Sequence, residues 1–217
     1  MRAARQTEAS WSVLRRRRDE DRDPGEGRGG TVDWLIVGLG NPGEEYARTR
    51  HNVGFEVAAL AARRWDLPKV KRRYAGLYSA GRTGPGGPRV AVLLPQTYMN
   101  DSGRAAGPAR GALRIELDRV VAVHDEIDLP FGRVEARLGG GLAGHNGLKS
   151  LKRELGSPDF RRLRVGVGRP DSTDPEIVSA WVLGRFREPQ EEVGALVERG
   201  ADELERLVAP SRYLPPP

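Results

Sequence analysis

The stretch that decides the fold reads Trp34-Leu35-Ile36-Val37-Gly38-Leu39-Gly40-Asn41-Pro42-Gly43. A short apolar run ends in glycine, asparagine and proline, which is typical of a buried strand that leads into a loop. The loop continues to His51 and Asn52 before a helical apolar spacing begins at Val53. It therefore places polar, titratable groups at the edge of a packed core, where functional residues are often found.

The same stretch contains the spacing Gly38-x-Gly40-x-x-Gly43, which is also found in dinucleotide-binding proteins. In those proteins the last glycine opens a helix whose N-terminus holds the pyrophosphate. Here Pro42 indicates a turn, and helical spacing starts only at Val53. The next strand runs into Pro95 without an acidic residue that could bind a ribose. We therefore interpret the glycines as loop residues and expect no cofactor.

From Trp34 onward, strand-like runs alternate with helical patterns. The strand-like runs cover residues 34–38, 76–80, 89–94, 119–124, 132–138 and 161–166. The helical patterns begin near Val53, Ser102, Asn146, Pro175 and Pro189. This alternation predicts an α/β fold, with one domain at residues 31–210 and helices on both faces of a mixed sheet. The helix from Ser102 is expected to kink or break near Gly107, because glycine and proline disfavour a helix interior.

Composition excludes several classes of protein. The chain has 217 residues and no run of about 18 apolar residues, which predicts a globular domain with no membrane span. It has no cysteine, so disulfides, thiolate metal sites and a cysteine nucleophile are excluded, and the cytoplasm is the default location. Residues 1–30 contain eight arginines and six acids with few apolar residues, which predicts a disordered leader; a start codon placed too early would explain this segment equally well. Residues 211–217 are expected to be a frayed tail.

The formal net charge of +6 is distributed unevenly. Residues 63–73 contain six basic residues and one acid, and residues 149–169 contain seven basic residues and two acids. Clusters of one sign attract polyanions, whereas ordinary exposed surfaces mix both signs. The charge alone leaves open whether each segment binds nucleic acid or is a solvated basic surface.

The chain has three histidines, at positions 51, 124 and 145. Asp125 follows the apolar strand ending at His124, so it could orient a histidine from elsewhere or simply cap a turn. Asn146 follows a glycine-rich loop and could bind a ligand or be the N-cap of a helix. The sequence offers neither a serine nucleophile motif nor closely spaced histidine metal ligands. What remains for hydrolysis is a general-base histidine acting on water, with neutral amides around it.

Five phrases of the sequence closely resemble bacterial peptidyl-tRNA hydrolases. They are Val37 to Gly43, Tyr46 to Gly54, Pro95 to Gly103, His124 to Pro130 and Gly144 to Ser150. The resemblance covers the chain from about Trp34 to Val208. It implies a single α/β domain with a twisted mixed β-sheet, and an esterase that cleaves the bond between a peptide and the ribose of its tRNA without a metal.

The resemblance also implies roles for individual residues. His51 corresponds to the catalytic base and Asp125 to its orienting partner. The implied substrate-binding residues are Asn41, Tyr46, Asn100 and Asn146, and the implied tRNA-binding residues are Arg137, Lys149, Lys152 and Arg164. The implied partner is peptidyl-tRNA, bound at its acceptor end and along its phosphates by a monomer, with no role for DNA or a membrane.

The sequence departs from the family pattern at three places. Leu142-Ala143 replace a polar residue and a glycine in the glycine-rich loop, Gly107-Pro108 interrupt a helix, and residues 212–217 lack the usual closing segment with its asparagine. A second hypothesis assigns the chain to another class of protein, a catalytically idle relative that binds RNA or protein. The joint retention of His51, Asp125 and the three asparagines favours the enzyme.

Overall fold

The computed structural model describes residues 31–209, so the predicted leader at 1–30 and the tail at 211–217 lie outside it. The strands are β1 (Trp34–Gly38), β2 (Lys71–Arg73), β3 (Gly76–Arg82), β4 (Arg89–Pro95), β5 (Val120–Glu126), β6 (Val134–Leu138) and β7 (Arg161–Gly166). The α-helices within 31–209 are α1 (Val53–Arg64), α2 (Gly103–Leu113), α3 (Asn146–Leu155), α4 (Pro175–Leu183) and α5 (Gln190–Val208).

The strands form one seven-stranded sheet in the order β2-β3-β4-β1-β5-β7-β6. β1 is parallel to both β4 and β5, and β5 is parallel to β7. β2, β3 and β6 join through antiparallel pairs. The predicted mixed sheet is therefore confirmed, and the carboxyl ends of four parallel strands share one edge. Ligand groups project from this edge in open α/β sheets.

Helices cover both faces of the sheet, as predicted. On one face Ile36, Val121 and Leu163 pack with residues of α1 and α5. On the other face Leu35 and Ala122 pack with residues of α2 and α3. Because successive side chains of a strand point to opposite faces, the continuous apolar runs of β1 and β5 supply both cores.

The structure corrects two predicted elements. The edge strand β2 was not predicted, since its Lys-Arg-Arg sequence is exposed at all three positions and carries no apolar signal. Helix α2 runs unbroken from Gly103 to Leu113, so the break expected near Gly107 is absent. Pro108 and Arg104 are both exposed, so the carbonyl that loses its helical donor lies on the solvent side of the helix.

Glycine in α2 has a packing role that the helix pattern did not reveal. A Cβ atom at Gly103 would lie 2.3 Å from the carbonyl oxygen of Ser150 in α3. The backbone N–H of Gly103 also donates to the Ser150 hydroxyl at 2.9 Å. The two helices thus approach more closely than any side chain at Gly103 would allow. Within residues 31–209, no helix combines the length and apolar character needed to cross a membrane.

Candidate active site

The candidate base, His51, is the middle residue of a short 3-10 turn, Arg50–Asn52, that directly precedes α1. All three residues of the turn are buried. The apolar start of α1 at Val53 packs into the core beside β1 and β5, and this packing fixes the turn at the carboxyl edge of the sheet. The loop between β1 and α1 therefore places a titratable ring at the carboxyl edge of the sheet, in a crevice beside Asp125.

His51 and Asp125 meet, although 74 residues separate them in the chain: His51 Nδ1 lies 2.9 Å from Asp125 Oδ1. Burial opposes the charged imidazole, but the charge of Asp125 and its hydrogen bond outweigh this effect, so the pKa of His51 is raised. Burial alone would raise the pKa of Asp125, but the neighbouring His51 and His145 hold it well below its usual range. Asp125 is therefore an ionised acceptor, and Nδ1 of His51 carries the hydrogen, which leaves Nε2 as the free basic nitrogen.

His145 belongs to the candidate site, although it was not predicted as a site residue. Its Nε2 lies 3.0 Å from Asp125 Oδ1, the same oxygen that binds His51. Its Nδ1 accepts the backbone N–H groups of Gly147 and Leu148, so His145 is the N-cap of α3. Since Nδ1 must hold a lone pair for the cap, Nε2 carries the hydrogen that is donated to Asp125. The alternative that Asn146 is the N-cap was wrong by one residue.

His124 is buried next to His145, and its ring is neutral. Its Nδ1 is 2.7 Å from the carbonyl oxygen of Asp125, so Nδ1 carries the hydrogen, and Nε2 has no hydrogen-bond partner. Burial, followed by the neighbouring His145, lowers the pKa of His124 to about 3. Its ring meets that of His145 edge-on, with centroids 5.0 Å apart. His124 therefore contributes shape rather than charge.

The cluster of His51, Asp125 and His145 also has the composition of a metal site, with one ligand atom from each residue and all three atoms within 4.8 Å of one another. The cap on α3 works against metal binding. A metal bound to Nε2 of His145 would displace the hydrogen from that nitrogen. The ring would then either lose this hydrogen altogether and become an anion, or move it to Nδ1, where it would break the cap on α3. The geometry fits a hydrogen-bonded carboxylate better than a metal ligand.

Asn41 is held rigidly beside the turn by Asn52. The Asn52 side chain accepts the Asn41 N–H at 2.8 Å and donates to the Asn41 carbonyl oxygen at 2.9 Å. The Asn41 Oδ1 in turn accepts the N–H of Met99 at 2.7 Å. The predicted residue Asn41 is thus buried in a network of amides, and the role of Asn52 in bracing it was not predicted.

The other predicted substrate-binding residues are less closely tied to the base. Asn100 lies in the 3-10 turn Met99–Asp101 and is exposed, and Asn146 is exposed at the first position of α3. The turn that carries Asn100 packs against the start of α3. Its Met99 sulfur is so close to Gly147 that a Cβ atom at Gly147 would lie only 2.5 Å away. Tyr46 is half-buried, and its carbonyl, rather than its ring, makes the observed bonds to Thr49.

The predicted tRNA-binding residues divide into two kinds. Arg137 on the edge strand β6, and Lys149 and Lys152 on α3, are exposed. Arg164 on β7 is only 18% exposed and pairs with Glu126 at 3.0 Å and Glu135 at 3.3 Å. Its charge is therefore largely neutralised within the protein.

A buried arginine, Arg162, holds the glycine-rich loop that leads to His145 through hydrogen bonds to its backbone. Arg162 is 3% exposed and donates to the carbonyl oxygens of Gly140, at 2.8 Å, and Gly141. Ala143, where the family pattern has glycine, adopts φ 46°, a conformation that costs an L-residue about 1 kcal/mol or more. Leu142 is partly buried against the core beneath α3. These two departures leave the loop packed but locally strained.

The fold and the site define an α/β protein whose candidate active site is a histidine–carboxylate pair flanked by neutral amides. A family model described as peptidyl-tRNA hydrolase matches residues 35–212. A peptidyl-tRNA hydrolase of Geobacillus kaustophilus is 44% identical over 175 residues, which are 80% of this chain and 92% of that protein. The corresponding protein of Mycobacterium avium is 45% identical over 177 residues, 80% of this chain and 90% of its own length.

Solved structures agree with these sequence matches. A peptidyl-tRNA hydrolase in complex with N-propanol matches with a TM-score of 0.72 at 36% identity, over 83% of this chain and 91% of that one. Peptidyl-tRNA hydrolase from Acinetobacter baumannii matches with a TM-score of 0.69 at 34% identity, over 83% and 95% of the two chains. The chain belongs to the peptidyl-tRNA hydrolase family.

Proposed function

We propose that this chain hydrolyses the ester bond between a peptide and the ribose of its tRNA, with His51 as the general base. The observation that carries this proposal is the bond from His51 Nδ1 to Asp125, which leaves Nε2 of His51 as the proton acceptor. Family membership supports the substrate class, since the similar proteins named above are peptidyl-tRNA hydrolases.

The reaction needs only water as a second reactant. His51 Nε2 accepts a proton from a water molecule while the water oxygen attacks the ester carbonyl carbon, and a tetrahedral oxyanion forms. Asp125 stabilises the imidazolium during this step. As the bond to the ribose oxygen breaks, that oxygen takes the proton from His51, which gives a tRNA with a free hydroxyl and a peptide carboxylic acid. The acid then releases the second proton of the water to solvent and becomes a carboxylate. The histidine then returns to its neutral form.

Neutral amides suit the remaining task, which is to hold the substrate carbonyl and its developing oxyanion without titrating. Asn41 has its Oδ1 occupied by Met99, so its Nδ2 group is the part of the amide that serves a ligand. Asn100 and Asn146 lie on the two segments that Met99 and Gly147 bring together. Tyr46 completes the proposed substrate-binding set.

The tRNA would be bound by phosphate contacts next to this crevice. Lys149 and Lys152 are three residues apart on α3 and so lie on one face, and Arg137 is on the edge strand β6. RNA is recognised mainly through phosphates and shape, which suits this arrangement at the acceptor end. Arg164 also belongs to the proposed tRNA-binding set, with a smaller contribution because Glu126 and Glu135 neutralise much of its charge. We place this monomeric enzyme in the cytoplasm, where it would recycle tRNA lost from ribosomes.

Release of peptide from a purified N-blocked aminoacyl-tRNA tests the proposal, with His51→Ala and His51→Asn as variants. Asparagine can still donate to Asp125 but cannot act as a base, so it controls for loss of the hydrogen bond. Both variants should bind tRNA and lose about 10²–10⁴-fold in single-turnover rate. Peptide release at the wild-type rate by either variant would show that His51 is not the base, whereas no release by the folded wild-type chain would favour an idle RNA-binding relative.

A further inference from the structure

The 3-10 turn at Arg50–Asn52 sends its side chains to three different parts of the molecule. A 3-10 helix has three residues per turn, so consecutive side chains point in three directions about 120° apart. His51 reaches Asp125 on β5, and Asn52 reaches Asn41 after β1. Arg50 points the third way, toward the segment that follows α4. The candidate base is therefore the middle residue between two anchors.

The Arg50 side chain is 2% exposed and is bound on several sides. Its guanidinium carbon lies 3.8 Å from the centre of the Trp181 ring and 5.3 Å from that of Phe186. It donates to the carbonyl oxygen of Arg185 at 2.7 Å and pairs with Glu188 at 3.4 Å. A buried cation held by aromatic faces and carbonyl oxygens is costly to displace.

The backbone repeats the same connection. The N–H of Arg50 donates to the carbonyl oxygen of Gly184 at 3.0 Å, and Thr49 forms an isolated antiparallel bridge with Arg185. Helix α4, directly before this segment, has no buried residue. Arg50 and its neighbours are thus a main attachment between the chain around residue 185 and the turn that carries the base.

We infer that Arg50 is a positioning residue for catalysis, which sets the rotation of the turn and so aims His51 at Asp125 and at the attacking water. This inference rests on the proposed role of His51 as the base. Asn52 fixes one side of the turn through the amide of Asn41, and Arg50 fixes the other through Trp181 and Arg185. With one anchor removed, the turn rotates about the other, and the distance from His51 Nδ1 to Asp125 lengthens.

The test compares Arg50→Met, which keeps an unbranched apolar stem but removes the charge and the donors, with Arg50→Lys. Arg50→Met should lower kcat about 10- to 100-fold with KM changed less than about threefold, because small misplacements of catalytic groups carry penalties of this size. Arg50→Lys should fall between the wild type and Arg50→Met, since lysine keeps the charge but lacks the planar fork of donors. Arg64→Met is the matched control, because Arg64 is an ion-paired arginine at the far end of α1.

The pH dependence of kcat distinguishes a misplaced His51 from a loss of folded protein. The pKa of His51 is raised by Asp125, so a longer bond should move the acid limb of kcat to lower pH in Arg50→Met but not in Arg64→Met. Partial unfolding would lower the rate equally at every pH. An acid limb that stays in place, with a rate loss matched by the unfolded fraction, would overturn the inference.

A second pair of variants keeps the test open if Arg50→Met does not fold. Trp181→Phe retains an aromatic face for the guanidinium and should keep kcat and the acid limb near the wild type, whereas Trp181→Leu should reproduce the shift of Arg50→Met. Equal behaviour of the two Trp181 variants would also overturn the inference. An NMR titration of the His51 ring needs no turnover, so it tests the role of Arg50 even if the wild-type chain releases no peptide.

Discussion

At the scale of single residues, the site depends on one oxygen atom, Asp125 Oδ1, which accepts hydrogens from both His51 and His145. Sharing reduces the negative charge available to each donor. The His145 ring is fixed by its cap on α3, whereas in the proposed mechanism His51 gains and loses a proton. Asp125 therefore holds the base in place while its attraction for the imidazolium is moderated by the second ring.

The rate should depend on pH through His51. Since its pKa is raised above 6.5, the ordinary value for histidine, kcat should decline as the pH falls toward and below that raised value. Asp125→Asn keeps an acceptor for Nδ1 but removes the charge, while burial remains, so the acid limb should move to lower pH. A pH–rate series on both proteins measures this. An unmoved limb would assign the titration to another group.

The double variant gives a stricter test of the same pair. His51→Ala removes the base, so adding Asp125→Asn should reduce the rate little further, because residues that act as one unit are not additive. Single-turnover rates of the wild type, both single variants and the double variant complete the cycle. Full additivity would mean that Asp125 acts independently of His51.

His145 has two roles that substitution can separate. Asparagine is a good N-cap, so His145→Asn should keep the free energy of unfolding near the wild-type value while losing the bond to Asp125. His145→Phe should lose both and be less stable by about 1 kcal/mol. Both variants should show the same reduced kcat. Urea unfolding and peptide release measure the two effects, and normal kcat in His145→Asn would remove His145 from the catalytic assembly.

Site residues that lie in the family motifs could be predicted from the sequence. Residues whose role depends on a contact between distant parts of the chain could not. His51, Asp125 and Asn41 were predicted as site residues from their phrases, and the structure brings His51 and Asp125 into contact. His145 was passed over because residue type favours asparagine as an N-cap, and its bond to Asp125 depends on how the loop folds. The roles of Asn52 and Arg50 arise from partners 11 and more than 130 residues away, which periodicity and spacing do not indicate.

At the scale of elements, the apolar strands were predicted well. The two errors, at β2 and α2, share a physical cause, because tertiary contacts outweigh local sequence preference in both. Buried parallel strands such as β1 and β5 are continuous apolar runs, and these are the strongest signals. β2 exists because β3 offers it a free edge, not because Lys71-Arg72-Arg73 favour extended structure. α2 tolerates Pro108 because tertiary packing holds the helix and overrides local propensity.

Two glycines of α2 should respond in opposite ways to alanine. Gly111→Ala should stabilise the protein by about 0.5–1 kcal/mol, because nothing lies within 4 Å of the added Cβ atom and alanine restricts the unfolded chain. Gly103→Ala should destabilise it, because the methyl group would collide with the Ser150 carbonyl oxygen. Thermal unfolding of the two variants decides this. Equal effects would mean that α2 and α3 can move apart at no cost.

At the scale of the whole molecule, charge along the sequence overstates the charge available to a ligand. Of the basic residues at 149–169, Arg162 is buried under the glycine-rich loop, Arg164 is paired with two glutamates, and Arg169 pairs with Asp128. Arg64, in the other cluster, is paired with acids of α5. The exposed lysines of α3 are therefore better candidates for RNA contacts than the number of cations in the segment indicates.

Lys152→Ala should weaken tRNA binding and reduce the slope of log affinity against log salt by about one unit or slightly less, with the chemical step intact. Lys69→Ala is the matched control, since Lys69 is an exposed lysine next to β2 at the opposite edge of the sheet. Binding at several salt concentrations tests both. Equal slopes for the two variants would place the RNA elsewhere.

The attachment of the His51 turn to Gly184 and Arg185 has a consequence for biosynthesis. A ribosome that has made the chain as far as β7 has already supplied His51, Asp125 and His145, but not the segment that holds the turn from its far side. Contacts over such long separations close slowly and late in folding. A product truncated before residue 184 would therefore carry the complete set of motif residues without this anchor and without the α5 side of the core.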